Sequence, residues 1–253
     1  MASKKAVSAK TDDVKTSEKN SQEQTQFDLL EMLEAGVHFG HQAKRWHPKM
    51  APYIWQNRDG VHIFDLIKTS NLLAQACEAV KKEMQEGKTI VFVGTKRQAS
   101  DIVKTHAQRA GVGYITTRWP GGTITNWEQM KKRIERYKTL KEGLPKGEFK
   151  HYTKKERVIL EKEMLRLERM FGGLTDLKNI PDSLFIIDTL REKTAIREAK
   201  TKNIKIYAIL DSNADPSLVD YVIPGNDDAK KSIEFLVTKF ADAVLEGRQL
   251  AQK

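Results

Sequence analysis

Four stretches of this chain carry residue types that could do chemistry. Gly94-Thr95-Lys96-Arg97 follows an apolar run, and a glycine, a hydroxyl and a lysine at the carboxyl end of a strand is where α/β proteins hold phosphate. The P-loop pattern needs a second glycine before the lysine, and neither that glycine nor a GxGxxG is present. Lys96 and Arg97 are therefore expected to meet the phosphates of a polymer rather than of a nucleotide. His38, His41 and His47 invite a metal, but no cysteine and no neighbouring carboxylate completes a tetrahedral set. The expectation is no metal, with histidines that bond backbone or phosphate. Asp211-Ser212-Asn213-Ala214-Asp215-Pro216 suggests calcium, yet the EF-hand glycine and closing glutamate are missing, and a turn with an Asx cap fits better. The fourth stretch interleaves cations with flat rings: His41, Lys44, Arg45, Trp46 and Lys49, continued by Tyr53, Ile54, Trp55 and Arg58. Phosphate contact combined with stacking needs those residue types. No nucleophile–base pair emerges anywhere. The residues support binding and not catalysis, with no cofactor and no small-molecule substrate.

Composition points the same way. Across 253 residues, 44 Lys+Arg stand against 34 Asp+Glu, a formal net charge of +10. Such an excess favours a polyanion, nucleic acid first and an anionic membrane surface second. The single cysteine, Cys77, excludes an intramolecular disulfide and fits a reducing compartment. No apolar run approaches the ~18 residues of a membrane span, so a soluble protein with no membrane partner is expected. Residues 1–26 are rich in Lys, Ser, Thr and Gln and have no aromatic residue. They cannot bury enough apolar surface to offset their ordering entropy, and the expectation is a disordered extension. It lacks the apolar region of a secretory signal and the arginines of a transit peptide.

The elements that must position these stretches begin near Phe27. A short amphipathic helix ends at Gly36, and Val61–Phe64 is the first expected strand. A helix comes next over about 68–86, with Leu72, Leu73, Ala76, Ala79, Val80 and Met84 on one face. Thr89–Val93 is a nearly continuous apolar run, the pattern of a parallel strand buried on both faces. The helix after Gly94 is expected to end near Gly111, with Tyr114–Thr116 as the next strand. Further strands are read at Ser183–Asp188, Ile204–Leu210 and Val219–Ile223, with helices over 192–202 and about 228–246, the last stopped by Gly247. The sum is an α/β fold: a five-stranded doubly wound, flavodoxin-like parallel sheet over residues 27–253.

That alternation is interrupted at Arg118-Trp119-Pro120-Gly121-Gly122-Thr123-Ile124-Thr125-Asn126-Trp127. Proline and paired glycines cannot continue a helix or a strand, and Thr125 or Asn126 is the expected N-cap of the next helix. Trp119 and Trp127 suit either stacking on bases or closing a small core. Trp127, Met130, Ile134 and Tyr137 recur at helical spacing up to Leu140, as do Leu160, Met164, Leu167 and Phe171 after the capping-box start Thr153–Glu156. Gly143, Pro145 and Gly147 mark the expected turn between them. Residues 125–171 thus read as an inserted antiparallel coiled-coil hairpin. Residues 128–169 carry 14 Lys+Arg against 8 Asp+Glu, a net +6 that suits RNA or protein docking.

Taken together, Gly36-Val37-His38-Phe39-Gly40-His41, Pro48-Lys49-Met50, Phe92-Val93-Gly94-Thr95-Lys96, Arg118-Trp119-Pro120-Gly121-Gly122 with Thr125-Asn126-Trp127, and Asp211–Pro216 with Ile223-Pro224-Gly225-Asn226-Asp227-Asp228 resemble the small-subunit ribosomal protein S-two family, in order and at family spacing from about Phe27 to Gly247. The hairpin resembles the bacterial and organellar branch. Departures are Pro120, where many members have leucine, and Ala214. The resemblance implies a structural, RNA-binding constituent of the small ribosomal subunit, on its solvent side between head and body. Implied partners are small-subunit ribosomal RNA, neighbouring small-subunit proteins, and the messenger-binding protein S-one where it exists. The implied place is the ribosome, in the cytoplasm or in a plastid or other organelle stroma. Carried onto this chain, the RNA contacts are His41, Lys44, Arg45, Trp46, Lys49, Arg58, Lys96, Arg97, Arg118 and Asn126, with Lys131, Lys132, Arg133, Lys154 and Lys155 of the hairpin as a second group. Trp119 and Trp127 are expected to pack rather than stack.

Overall fold

The computed structural model describes residues 27–251; the expected disordered extension, 1–26, lies outside the described residues. Five parallel strands form the central sheet: β4 (Ile90–Val93), β5 (Gly113–Ile115), β6 (Ser183–Ile187), β7 (Lys205–Leu210) and β8 (Tyr221–Pro224), in the order β5-β4-β6-β7-β8. Counted within the sheet alone the order is 2-1-3-4-5, the flavodoxin-like arrangement, with its switch point between β4 and β6. Burial explains why these strands read as continuous apolar runs. Phe92, Phe185, Tyr207 and Ile209 enter one core, with α2 (Leu66–Gln85), α3 (Ser100–Ala110) and α7 (Lys230–Ala251), while Val91, Val93, Leu184, Ile186 and Ala208 enter a second core on the other face. Successive side chains point to opposite sides of a strand, so a sheet covered on both faces needs apolar residues at every position.

The sheet expected from the sequence is present, but Val61–Phe64 is not part of it. That strand, β3, is the centre of a separate antiparallel sheet between β1 (Phe39–Gln42) and β2 (Ile54–Arg58). The stretch read as a basic, aromatic loop is therefore largely folded. Asp59 and Gly60, with φ of 53° and 80°, make the tight turn joining β2 to β3, and two consecutive positive-φ residues give the twist that hairpins prefer. The Asp-Gly pair was the available signal for this hairpin.

The hairpin helices are α4 (Trp127–Lys146) and α5 (Lys154–Phe171). Met130, Ile134, Tyr137 and Leu140 pack with Leu167 and Phe171 and with the half-buried Leu160 and Met164. Arg136 Nη2 pairs with Glu163 Oε2 at 3.3 Å across the two helices. Thr153 and Glu156 form the reciprocal capping box expected of them. Helix α4, however, passes through Gly143 and Pro145 and ends at Gly147, φ 74°. Pro145 lies in the last turn, where the hydrogen bond it forgoes would fall on the exposed Lys141. Gly143 lies within the helix and leaves room for the ring of Phe149, which folds back over it: a Cβ there would stand 2.7 Å from that ring.

Gly247 is likewise not a helix stop. Helix α7 runs on to Ala251, and a Cβ on Gly247 would lie 2.6 Å from the Lys81 carbonyl oxygen and 2.7 Å from Met84 Cβ of α2. The glycine lets two helices touch backbone to backbone. Gly247→Ala is expected to lower stability by about 1–2 kcal/mol: overpacking costs ~1–3 kcal/mol, and alanine's better helix propensity returns up to ~1 kcal/mol. A urea titration checks this, and an unchanged or higher midpoint would mean the helices are free to part.

Cys77 is buried in the first core, and burial pushes its thiol up to about 12, which leaves it protonated and unreactive. Among the described residues no helix is long and apolar enough to cross a membrane.

Candidate nucleic-acid interface and the loops that hold it

At the carboxyl ends of the parallel strands the loops are tied together by charge. Lys96, just after β4, is turned inward: its Nζ lies 2.7 Å from Asp227 Oδ1, 2.6 Å from Asp228 Oδ1 and 3.7 Å from Asp188 Oδ2. Burial works against the Lys96 ammonium, but these carboxylates outweigh it and hold its pKa above the ordinary lysine value. Burial, reinforced by Asp211 and Asp188, pushes Asp227 up to about 7. Asp188 ends β6 with φ 65°, and its Oδ1 accepts from the amides of Leu190 and Arg191. The Thr95 hydroxyl donates to the buried Glu192 carboxylate. The Gly94-Thr95-Lys96 turn thus occupies the switch point of the sheet, but its lysine and hydroxyl are already engaged by acids.

His41 belongs to the same cluster. Its amide donates to Asp211 Oδ1 and to Ser212 Oγ, each at 2.9 Å. Its ring spans Asp211 Oδ2 at 2.9 Å from Nδ1 and Asp228 Oδ2 at 3.4 Å from Nε2. The bond to Asp211, together with nearby aspartates, raises the His41 pKa despite partial burial. Gly40 makes the approach possible, since a Cβ there would stand 3.1 Å from both the His62 carbonyl and Ser212 Oγ. One ligand atom from each of His41, Asp211, Asp227 and Asp228 lies within 4.8 Å of the others, a set that could hold a cation. The carboxylates that the sequence lacks beside His41 arrive here from the ends of β7 and β8, which removes the ground on which a metal was discounted. Next to them, Ser217 and Lys49 hold the Asp215 carboxyl down at about 2, with Lys49 Nζ 3.2 Å from Asp215 Oδ2 and 2.7 Å from Ser217 Oγ. The Asx turn expected at Asp215 is present, its Oδ1 accepting from the Ser217 amide at 3.0 Å.

The joint at residues 118–127 is organised by a residue that spacing does not reveal. Glu198, on α6 (Lys193–Thr201), accepts from Trp119 Nε1 at 3.1 Å and from the amides of Gly122, Ile124 and Thr125 at 2.8, 3.0 and 3.3 Å. Burial opposes its charge, but these donors prevail and hold the carboxyl below its usual range. Trp119 and Trp127 are buried in the second core, as expected of packed rather than stacking rings. Gly122, φ 88°, turns the chain, and Asn126 precedes α4 with no side-chain capping bond. The sequence carried a hint of a partner for these amides only in the loop itself: a run rich in glycine leaves N–H groups that some acceptor must satisfy.

The remaining sequence-selected residues face solvent. Lys44, Arg45, Arg97, Arg118, Lys131, Lys132, Arg133, Lys154 and Lys155 are exposed, and none makes an ion pair among the described residues. Trp46 is 40% exposed, its ring 5.1 Å from that of His62. Arg58 is exposed beside Asp59 at 3.9 Å. The fold therefore divides the set: His41, Lys49 and Lys96 bind the strand-end loops to one another, Arg58 pairs with its neighbour Asp59, and the other cations stand unpaired around those loops and along the hairpin. Unpaired surface cations at a site whose amides and rings are already satisfied can serve an external polyanion through phosphate contacts.

Comparison with known proteins identifies the family. The family model described as Ribosomal protein S2 matches residues 32–247. The chain is similar to "Small ribosomal subunit protein uS2c" of Guillardia theta, 49% identical over 219 residues, which cover 87% of this chain and 93% of the relative. It is similar to the protein of the same name from Cyanophora paradoxa, 48% identical over 219 residues, 87% of this chain and 94% of that one. Matched along nearly its whole described length, the chain belongs to the ribosomal protein S2 family.

Proposed function

We propose that this chain is a structural, non-catalytic constituent of a small ribosomal subunit, seated on small-subunit ribosomal RNA. The observation that carries the reading is the coincidence of family membership with exposed cations that have no internal partner: Lys44 and Arg45 beside Trp46, Arg97 and Arg118 at the strand ends, and Lys131, Lys132, Arg133, Lys154 and Lys155 on the hairpin. Arg58 and Asn126 complete the contact set, while His41, Lys49 and Lys96 act by holding the contacting loops in shape. Its seat, in this reading, is the solvent side between head and body, as the family resemblance implies, in a ribosome of an organelle stroma or a bacterial-type cytoplasm. Domain organisation fits the same reading: an α/β body that docks and a cationic helical arm that reaches outward.

The test is sedimentation of a lysate through a magnesium-containing gradient with and without nuclease. The protein is expected to travel with small subunits and to leave them when the RNA is degraded; a protein that stays at the top of every gradient would sink the assignment. Binding of the purified chain to the RNA should weaken with salt, with a slope of log affinity on log salt near −5 if about six phosphates are neutralised. A salt-independent curve would remove the electrostatic account.

One further observation supports a protein partner beside the RNA, and S-one is the candidate that the family resemblance supplies. Leu33, Phe39, Trp55 and Ile67, exposed by 48, 48, 68 and 42%, line one groove of about 680 Å³. Its charges, Arg58 against Asp59 and Asp65, give no cationic excess for a polyanion. Exposed apolar surface of this kind marks protein contacts.

A further inference from the structure

A second cleft lies between the domain and the hairpin. It has a volume of about 470 Å³ and is lined by α3, by β5 and the residues after it, by the second half of α4 and by the carboxyl end of α5. Three cations from three different elements reach it: Lys104 of α3, Lys141 of α4 and Arg169 of α5. All three are exposed, and none forms an ion pair among the described residues. Lys141 is held with its Nζ 5.5 Å from the ring centre of Tyr137, and Arg169 Nε donates to the Leu165 carbonyl of its own helix. The one carboxylate in the cleft, Glu168, accepts from the Tyr137 hydroxyl at 3.3 Å. The cleft therefore keeps an excess of two positive charges.

Its walls decide what kind of polyanion it suits. Thr116 and Thr117 offer hydroxyls and backbone, and the Thr117 hydroxyl already donates to the Arg169 carbonyl at 2.9 Å. Tyr137 is 1% exposed, so its ring offers no face for a base. Tyr114, the other ring, has its hydroxyl accepting from Gln108 at 3.3 Å. Strand addition at the neighbouring sheet edge is blocked as well, because Gly173 presses on the Tyr114 carbonyl and leaves no room for another chain's backbone. With one ring buried, the other half-buried with its edge against Gly173, and the strand edge closed, the exposed cations are what the cleft presents, and they suit a backbone of phosphates more than its bases.

We propose that this cleft is a sequence-independent site for the phosphodiester backbone of RNA, held by Lys104, Lys141 and Arg169 in the angle between the domain and its helical arm. The inference rests on the RNA-binding reading above and adds a contact outside the strand-end loops and the hairpin's outer cations. Phosphate spans would lie against all three elements at once, so the site would also fix the arm's direction on the RNA.

The experiment uses the full chain carrying Lys104→Gln, Lys141→Gln and Arg169→Gln together, titrated with small-subunit ribosomal RNA and with an unrelated RNA duplex over a range of salt. The slope of log affinity on log salt is expected to become shallower by roughly 2–3, at ~0.7–0.9 per lost phosphate. Affinity for both RNAs should fall together, by at least about tenfold near 0.1 M salt. In parallel, lysine acylation of the unsubstituted protein should show Lys104 and Lys141 protected by either RNA, a measurement that holds even if the triple variant folds poorly. Unchanged slopes with both lysines equally reactive overturn the proposal while leaving RNA binding intact. Protection within assembled subunits but not by RNA alone also overturns it, by assigning the cleft to a neighbouring protein. Absence of salt-dependent binding by the unsubstituted chain would be a failure of the RNA reading itself.

Discussion

Glu198→Ala is expected to be among the most damaging single substitutions in this protein. The carboxylate accepts from three backbone amides and the Trp119 indole of one loop. Alanine would leave those donors without partners, and each unsatisfied buried donor costs about 1–3 kcal/mol. The losses will not add fully, because the loop can open to water; about 3–5 kcal/mol is the expected total. For a domain of this size that lowers the melting temperature by roughly 10 °C, at ~2–4 °C per kcal/mol. The joint sets the root of the hairpin, so Arg118 should become a preferred tryptic site in the variant. Glu198→Gln, which keeps one acceptor oxygen, should fall between the two. A melting temperature within about two degrees of wild type, with Arg118 still protected, would show that the loop is held by its tryptophans alone.

The same carboxylate predicts an acid response. Its folded pKa is depressed, so its contribution to stability is present above the unfolded carboxyl value near ~4.3 and is lost as pH falls through the lower folded value. The joint should therefore loosen only in strong acid, below about pH 4.

Lys96→Met should be comparably severe, and with a pH dependence of opposite sign. Removing the ammonium leaves Asp188, Asp227 and Asp228 facing one another. Breaking a buried pair by removing one partner typically costs about 3–5 kcal/mol. Asp227 is already raised to about 7. A carboxyl raised in the folded state binds a proton there that the unfolded chain has released, so stability declines as pH climbs from the unfolded value near ~3.9 toward 7. Without Lys96 the Asp227 pKa should climb further and the decline should extend to higher pH. Thermal melts in chelator at pH 5 and pH 8 are the check: the variant should lose more at pH 8. Equal losses at both would mean that the aspartates are relaxed by water rather than held against one another. Asp227→Asn in the Lys96→Met background should recover part of the loss at pH 8 and little at pH 5.

These two residues also separate what could be read from the chain from what could not. Local pattern was sufficient wherever a residue's role is decided by neighbours within a few positions. The apolar runs of β4, β6 and β7 are legible because a sheet covered on both faces demands them. The Thr153–Glu156 capping box and the Gly111 helix end, φ 65°, are satisfied within one turn of helix. The family was legible for a related reason, since motif order is itself a property of the chain. The cations on the outer loops and the hairpin were legible as exposed because nothing nearby in sequence could bury them.

Roles that depend on a partner far along the chain were decided by the tertiary structure. Lys96 reads as a phosphate-binding lysine until Asp227, 131 residues later, is brought 2.7 Å from it. His41 reads as an incomplete metal ligand until Asp211, 170 residues later, reaches its amide. Glu198 is, in the sequence, one charge within the helix read over 192–202, with no stated role until α6 packs beneath a loop 74 residues earlier. Gly247 reads as a helix terminator until Lys81 and Met84 of α2 arrive against it. In each case the residue type states what it can do, donate, accept or leave space. Electrostatic attraction falls off over a few ångströms of real distance, not of sequence distance, so only the folded sheet, by bringing its strand ends together, selects which of those capacities is used internally and which is left for a partner.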